Sequence, residues 1–237
     1  MCGRYSSSRS DQLIADEFGV QATIGDQPPP SWNVAPTQTR RIIVERRSRG
    51  TDDPEVRRQL RSARWGLVPS WAKDVKIGNR LINARSETVT EKPAFKTAAG
   101  RRRCLIPADG YYEWEKVDGR KVPFFLHRDE EPLAFAGLYE LWPDPARDGD
   151  DPDRWLWSYT VLTRPAPDSL GHIHDRCPVV VPADTREHWL DPALTDHDRV
   201  RELLGRIPDP GLDPREVSTA VNSTGNDSSE LTAAVAG

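Results

Sequence analysis

The sequence contains no long hydrophobic run, and none of its apolar stretches approaches the ~18 residues needed to cross a bilayer. The N-terminus also lacks the apolar segment of a signal peptide, so Cys2 is not predicted to be a lipoprotein cysteine. Cysteine is scarce: three residues at distant positions argue against a disulfide framework and for a reducing compartment. Together these absences predict a cytoplasmic protein with no membrane association.

The histidines do not show the spacing of zinc ligands, and we therefore expect neither a metal nor another cofactor. The histidines are His127, His172, His174, His188 and His197. No internal repeat is present, and nothing in the sequence indicates oligomerisation, so we expect a monomer.

The 237 residues suffice for a substantial core, and 21 prolines with 16 glycines favour a loop-rich fold over a helical bundle. Many short strand-like segments with few helices predict an α+β fold with a mostly antiparallel sheet system. One short helix should be capped by Ser10 and end at Gly19. We expect an irregular loop at 25–37, an acidic flexible insertion at 143–154 and a disordered polar tail at 223–237.

Charge is distributed unevenly along the chain. Residues 1–104 contain 20 Lys and Arg against 11 Asp and Glu, whereas residues 105–237 contain 13 against 26. Such segregation is compatible with one face that meets a polyanion and another that repels it. A mixed, solvated surface that segregates only in the sequence explains it equally well.

Cys2 directly follows the initiator Met1, which is normally removed ahead of a residue this small. The mature chain would then begin with an amine and a thiol on adjacent carbons. An α-amine has a pKa near ~7.7–8.0, against ~10.4 for lysine, so far more of it is neutral and nucleophilic at pH 7. It condenses with an aldehyde to a Schiff base, on which the sulfur can close a thiazolidine ring. Position alone still favours an unimportant terminal residue.

Three further segments concentrate polar groups. Asn83 and Arg85 share one face of an extended chain, where the arginine suits a phosphate, although an ordinary polar strand has the same pattern. Glu113 lies among aromatic residues, where desolvation would raise its pKa, unless it is simply exposed. His174 and Arg176 precede a buried run and suit proton transfer and phosphate binding, although a lone histidine is usually structural.

Eight tryptophans are many for this length. Trp32, Trp65, Trp71 and Trp114 lie close to the polar segments. Bases of single-stranded nucleic acid stack on such rings while cations follow the backbone. Most tryptophans pack in cores, so we expect one or two to contact a ligand.

Seven segments together resemble the SRAP family, the SOS-response-associated peptidase-like proteins, in family order and over nearly the whole chain. The segments are CGRY at 2–5, WNVAPTQ at 32–38, RWGLVPSWA at 64–72, NARSET at 83–88, CLIPADGYYEW at 104–114, FAGLYE at 135–140 and HDRCPVVV at 174–181. The resemblance implies a single SRAP domain over 1–222 with a barrel-like sheet system. It also implies covalent capture of abasic sites in single-stranded DNA, with nucleoid association when DNA is bound.

The resemblance further implies roles for individual residues. The catalytic set would be Cys2, Asn83, Glu113 and His174. Cys2 forms the Schiff base and thiazolidine, Asn83 positions it, Glu113 shuttles protons, and His174 assists sugar-ring opening. The DNA-binding set would be Arg4, Asn33, Pro36, Trp71, Arg85, Trp114 and Arg176.

One departure and two rival functions stay open at this point. Cys177 stands where the family usually has methionine, and it is either a competing thiol or, as we favour, a buried apolar residue. The first rival function is a thiol autopeptidase that uses Cys2, although no cysteine-protease site is evident. The second is a noncovalent single-strand-binding module.

Overall fold

The computed structural model describes residues 2–47, 55–129, 131–151 and 154–235. Its strands are β1 (Tyr5–Ser7), β2 (Ala22–Ile24), β3 (Ser31–Val34), β4 (Thr39–Arg47), β5 (Val56–Trp65), β6 (Asn83–Arg85), β7 (Arg103–Ala108), β8 (Gly110–Val117), β9 (Arg120–His127), β10 (Leu133–Pro143), β11 (Trp155–Pro165), β12 (Arg176–Pro178) and β13 (Asp213–Glu216). The helices are α1 (Asp11–Phe18), α2 (Lys96–Arg101), α3 (Asp168–Gly171), α4 (Arg186–Leu190) and α5 (His197–Arg206).

Five strands close into a barrel in the order β11-β10-β7-β4-β5, and the predicted α+β class with a mostly antiparallel, barrel-like sheet system is confirmed. Four of the five pairings are antiparallel; the closing pair of β5 and β11 is parallel, with Trp65 opposite Tyr159. A second sheet, in the order β13-β9-β8-β1-β3, packs beside the barrel. None of the helices in the described ranges is long and apolar enough to cross a membrane.

Aromatic rings fill the barrel and anchor the strand that follows Cys2. Tyr5 meets Trp65 edge to face with ring centroids 5.1 Å apart, and its hydroxyl shares a 2.6 Å hydrogen bond with that of Tyr159. The Trp65 indole donates to the Ile82 carbonyl at 2.9 Å, just before β6. Because buried Tyr and Trp polar atoms need partners, these bonds fix both rings and the strands that carry them.

Helix α1 begins and ends where the sequence predicts. The Ser10 side chain accepts a hydrogen bond from the Leu13 amide, and Gly19 closes the helix at φ 61°. Its buried residues Ile14 and Phe18 pack on the outer face of the barrel.

Two sequence expectations differ from the structure. The expected irregular loop at 25–37 contains strand β3, because its backbone pairs with β1. The expected disordered tail is ordered as far as the described residues extend, to Val235, and forms a 3-10 turn at Ser229–Thr232. Val221 and Leu231 are buried against Tyr112 and Phe125 of the second sheet, which is the physical reason for this order.

Candidate active site

Cys2 lies three residues before the start of β1, and its side chain is fully buried in the inner core. The Asn83 side chain donates from Nδ2 to the Cys2 carbonyl oxygen at 2.7 Å. Strand β6 presents this amide because it pairs in parallel with β11, with Asn83 opposite Val161. Among the described residues the Asn83 Oδ1 atom is buried with no hydrogen-bond partner, so one acceptor stays available beside Cys2.

The period-two pattern expected at 83–85 is present. Ala84 is buried on the outer side of the barrel, whereas Arg85 is exposed. Asn83 and Arg85 therefore share a face, as predicted, and only Asn83 reaches the backbone of Cys2.

Glu113 comes from β8, whose neighbour β1 follows Cys2 in the chain. The side chain is only 4% exposed, so of the two alternatives that the sequence leaves open, burial and exposure, the structure shows burial. Burial raises the pKa of Glu113 above its usual value, and the nearby His174 partly opposes this shift. A carboxyl group with a raised pKa holds its proton closer to neutral pH, which suits it to proton transfer.

This raised pKa makes the stability of the protein depend on pH. The folded state binds the Glu113 proton more tightly than the unfolded chain does, so its stability should fall as pH rises from about 4.3 through the raised value. Glu113→Gln removes that loss. The difference in Tm between the variant and the wild type should therefore grow in favour of the variant from about pH 4 to about pH 8. Thermal unfolding across this range tests the expectation, and a difference that shrinks with pH would contradict it.

His174 lies in the bend before β12. Its Nδ1 accepts a hydrogen bond from the Arg176 amide at 3.0 Å, so the proton of the neutral ring is on Nε2. The exposed Asp175 carboxylate lies 2.9 Å from the same Nδ1 and would pair with the ring in its protonated state. The Nδ1 atom of His174 thus faces both a backbone N–H donor and a carboxylate.

The Cys2 thiol is held in its protonated form in the full-length chain. Burial raises the pKa of Cys2 strongly, and the nearby negative charge of Glu113 adds to the shift. Cys177 is also buried, and burial raises the pKa of its thiol as well. Its surroundings fit the buried apolar alternative better than a competing nucleophile, because the thiolate is the reactive form.

Arg4, predicted to bind phosphate, is held by protein groups. Its Nη1 donates to Asn33 Oδ1 at 2.7 Å and to the Val221 carbonyl at 3.0 Å, and its guanidinium carbon lies 5.9 Å from the Trp114 ring centroid. The Trp114 indole donates in turn to Asn222 Oδ1 at 2.7 Å. The C-terminal segment, residues 221–235, therefore covers part of the predicted DNA-binding set.

Asn33 links this C-terminal segment to Arg4. It is 1% exposed, and its Nδ2 contacts the carbonyl oxygens of Val221, Ser223 and Asn226 at 3.3, 2.9 and 2.7 Å. A side chain so enclosed has no surface for a ligand, so the structure assigns Asn33 to the support of Arg4. The sequence contains no local pattern that would have identified this contact.

Arg176 is likewise engaged. It forms a two-point ion pair with Glu87, at 2.5 and 3.0 Å, and donates to the Thr163 carbonyl at 2.6 Å. This pair ties β12 to the segment after β6, on the two sides of β11. Of the other predicted contacts, Trp71 is 60% exposed, Arg85 is exposed and Pro36 is half-buried.

The described residues contain no cluster of three or more His, Cys, Asp or Glu that could hold a metal ion. The site brings together a buried thiol, an amide, a carboxyl group with a raised pKa and an imidazole. This set can bind a carbonyl compound and move protons.

Comparison with known proteins adds the family. A protein from Bacteroides thetaiotaomicron shares the fold, with a TM-score of 0.80 at 21% identity over 99% of this chain and all of the other. The abasic site processing protein YoqW of Bacillus subtilis (strain 168) is 37% identical over 98% of both chains. The abasic site processing protein HMCES of Gallus gallus is 32% identical over 97% of this chain and 76% of its own length. The family model for SOS response associated peptidase (SRAP) matches residues 1–224, and the chain belongs to this family.

Proposed function

We propose that this protein, after removal of Met1, captures abasic sites in single-stranded DNA through a covalent bond to Cys2. The observation that carries the proposal is the convergence of four separate segments: Asn83 binds the Cys2 backbone at 2.7 Å, and Glu113 lies within electrostatic reach of both Cys2 and His174. Relatives of up to 38% identity are named abasic site processing proteins, which supports the substrate class.

Removal of Met1 is the first requirement. While Met1 is attached, the Cys2 nitrogen belongs to an amide and is not nucleophilic. Once it is free, the amine attacks the C1′ aldehyde of the ring-opened sugar, and the carbinolamine loses water to give a Schiff base. Glu113 in its protonated form would supply the proton with which the hydroxyl leaves.

The protonation state of the thiol determines which bond to C1′ forms first, the one from nitrogen or the one from sulfur. A protonated thiol is a poor nucleophile, so the amine reacts first. The Cys2 Sγ–H bond then adds across the C=N bond: sulfur bonds to C1′, and the sulfur proton ends on nitrogen, with Glu113 as the carrier. The same protonation state argues against the peptidase alternative, which needs a thiolate before its substrate arrives.

In this proposal the DNA contacts come from exposed members of the predicted DNA-binding set. Arg85 is exposed on the Asn83 face, and Trp71 offers an exposed ring for a base. Arg4 and Arg176 already donate hydrogen bonds to protein groups, so only their remaining N–H groups could bind a phosphate. We therefore assign them first to positioning the chain beside Cys2.

A denaturing gel tests the function. The mature protein is incubated with single-stranded DNA that carries one abasic site, with the intact strand, and with abasic DNA whose aldehyde has been reduced to an alcohol. We expect a shifted band with the first substrate alone. Retention that disappears on denaturation would instead support the noncovalent alternative, and cleavage of added peptides would support the peptidase.

Glu113 and His174 should contribute to different steps. We expect Glu113→Ala to slow adduct formation by about 10²–10⁴-fold, the usual range for a general acid or base. His174→Ala should act mainly on substrates that must first open the sugar ring, and on release of the adduct. Time courses of formation and of release onto excess competitor DNA separate the two, and identical profiles would refute the division.

A further inference from the structure

Two arginines share one tryptophan at the end of the barrel interior. The guanidinium carbons of Arg61 and Arg46 lie 4.5 and 5.2 Å from the Trp157 ring centroid. Tyr139 stacks on the same indole with centroids 5.1 Å apart and an interplanar angle of 12°. Trp157 is thus fixed between cations and a second ring.

Arg46 and Arg61 lie on the inward faces of β4 and β5, whose other residues point into the core. On β4 the inward positions are Ile42 and Val44, and Arg46 follows at the same period of two. On β5, Arg61 precedes the inward Ala63 in the same way. The inner lining of the barrel therefore changes from apolar to cationic toward this end.

These two positive charges lack an acidic partner among the described residues. Among the described residues, Arg61 donates from Nε to the neutral Gln59 Oε1 at 2.9 Å, and Arg46 has no hydrogen-bond partner there. Burial lowers the pKa of Arg61, and the like charge of Arg46 lowers it further. Like charges held close together repel each other, and apart from the Arg61–Gln59 bond the N–H donors of this pair have no acceptor among the described residues.

We propose that Arg46, Arg61 and Trp157 form a binding site for a phosphate group, separate from the Cys2 site. Paired guanidinium forks match the oxygens of a phosphate in charge and geometry, and the Trp157 ring fixes their planes. Both arginines are half-buried, so solvent reaches them.

The proposed phosphate site and the residues around Cys2 are at different positions along β11. Val161, opposite Asn83, is four residues beyond Trp157, a separation of roughly 13 Å along β11. The fully buried Tyr159 lies between them. Phosphate binding here can consequently be measured without any reaction at Cys2.

Titration calorimetry with inorganic phosphate tests the site in the full-length chain. Arg46→Gln/Arg61→Gln should bind phosphate roughly tenfold to a hundredfold more weakly than the wild type, because charge-assisted hydrogen bonds are lost. Arg46→Lys/Arg61→Lys keeps both charges and should give an intermediate affinity, which provides a second variant if the first fails to fold. Arg47→Gln, on the same hairpin but on the opposite, exposed face of β4, should bind like the wild type.

A second titration identifies the source of the phosphate. If single-stranded DNA without abasic sites displaces inorganic phosphate from the wild type, the site takes the diester backbone; if it does not, the site takes free phosphate. Both outcomes support the site. Equal phosphate affinity in the wild type and both double variants, or no measurable binding by the wild type, would overturn the proposal.

Discussion

Replacing Cys2 with alanine should abolish the denaturant-stable adduct with abasic DNA, with a loss of at least about 100-fold in yield. The variant keeps a free α-amine, because Met1 is also removed ahead of a residue as small as alanine. It can therefore form the Schiff base, but no sulfur closes the ring, and the imine hydrolyses. The thiazolidine, not the imine, makes the adduct persist.

A reductant distinguishes this loss from a damaged fold. Sodium cyanoborohydride converts an imine to a stable secondary amine, so it should restore a covalent band for Cys2→Ala and for Cys2→Ser. The wild type should need no reductant. A chain with a blocked N-terminus should give no band in either condition, because it lacks the amine.

Cys177→Ala is the matched control, since its thiol is also buried and its pKa is also raised, yet it has no adjacent amine. It should capture abasic DNA like the wild type. A stable band from Cys2→Ala without reductant, or from the blocked chain, would show that another residue forms the bond.

The local parts of the site could be predicted from the sequence. The alternation at Asn83, Ala84 and Arg85 follows from the period of a strand, and the structure shows it. The aromatic neighbours of Glu113 leave its burial and its exposure open, and the structure shows burial. The alternation at 83–85 needs only residues adjacent in the chain, and for such residues backbone geometry decides which side chains share a face.

Contacts between distant segments could not be predicted in this way. Arg176 and Glu87 are 89 positions apart, and Asn33 and Ser223 are 190 apart. No pattern near Arg176 indicates that its charge is already neutralised. The barrel closes through the parallel pairing of β5 with β11, which propensity does not specify. Arg176 and Asn33, which are predicted to contact DNA, therefore connect distant segments of the chain.

The order of the C-terminal segment also depends on a distant contact and could not be predicted from the sequence. Its polar composition predicts disorder because few apolar residues are present to compensate for lost chain entropy. Val221 and Leu231 suffice as anchors because Asn33 satisfies three backbone carbonyls between and beside them. The segment is ordered by a partner almost two hundred residues away, and the order extends to Arg4.

Replacing Asn33 with alanine should have the second largest effect, on both stability and capture. The variant leaves the Asn226 carbonyl without its donor, takes one of two donors from the Val221 and Ser223 carbonyls, and takes one of two acceptors from Arg4. Loss of a buried group with several partners costs about 2–4 kcal/mol, which corresponds to a fall in Tm of about 5–15 °C for a chain of this size. Because Arg4 is two residues from Cys2, we also expect capture to slow about tenfold in protein that is still folded. Thermal unfolding and adduct time courses well below the Tm of the variant measure the two effects separately.

Asn226→Ala is the control. It keeps its backbone carbonyl as an acceptor for Asn33, so its free energy of unfolding should be within about 1 kcal/mol of the wild-type value, with normal capture. If Asn33→Ala matched this control in both measurements, the C-terminal segment would have no part in holding Arg4, and the reactive end of the chain would be positioned by Asn83 and β1 alone.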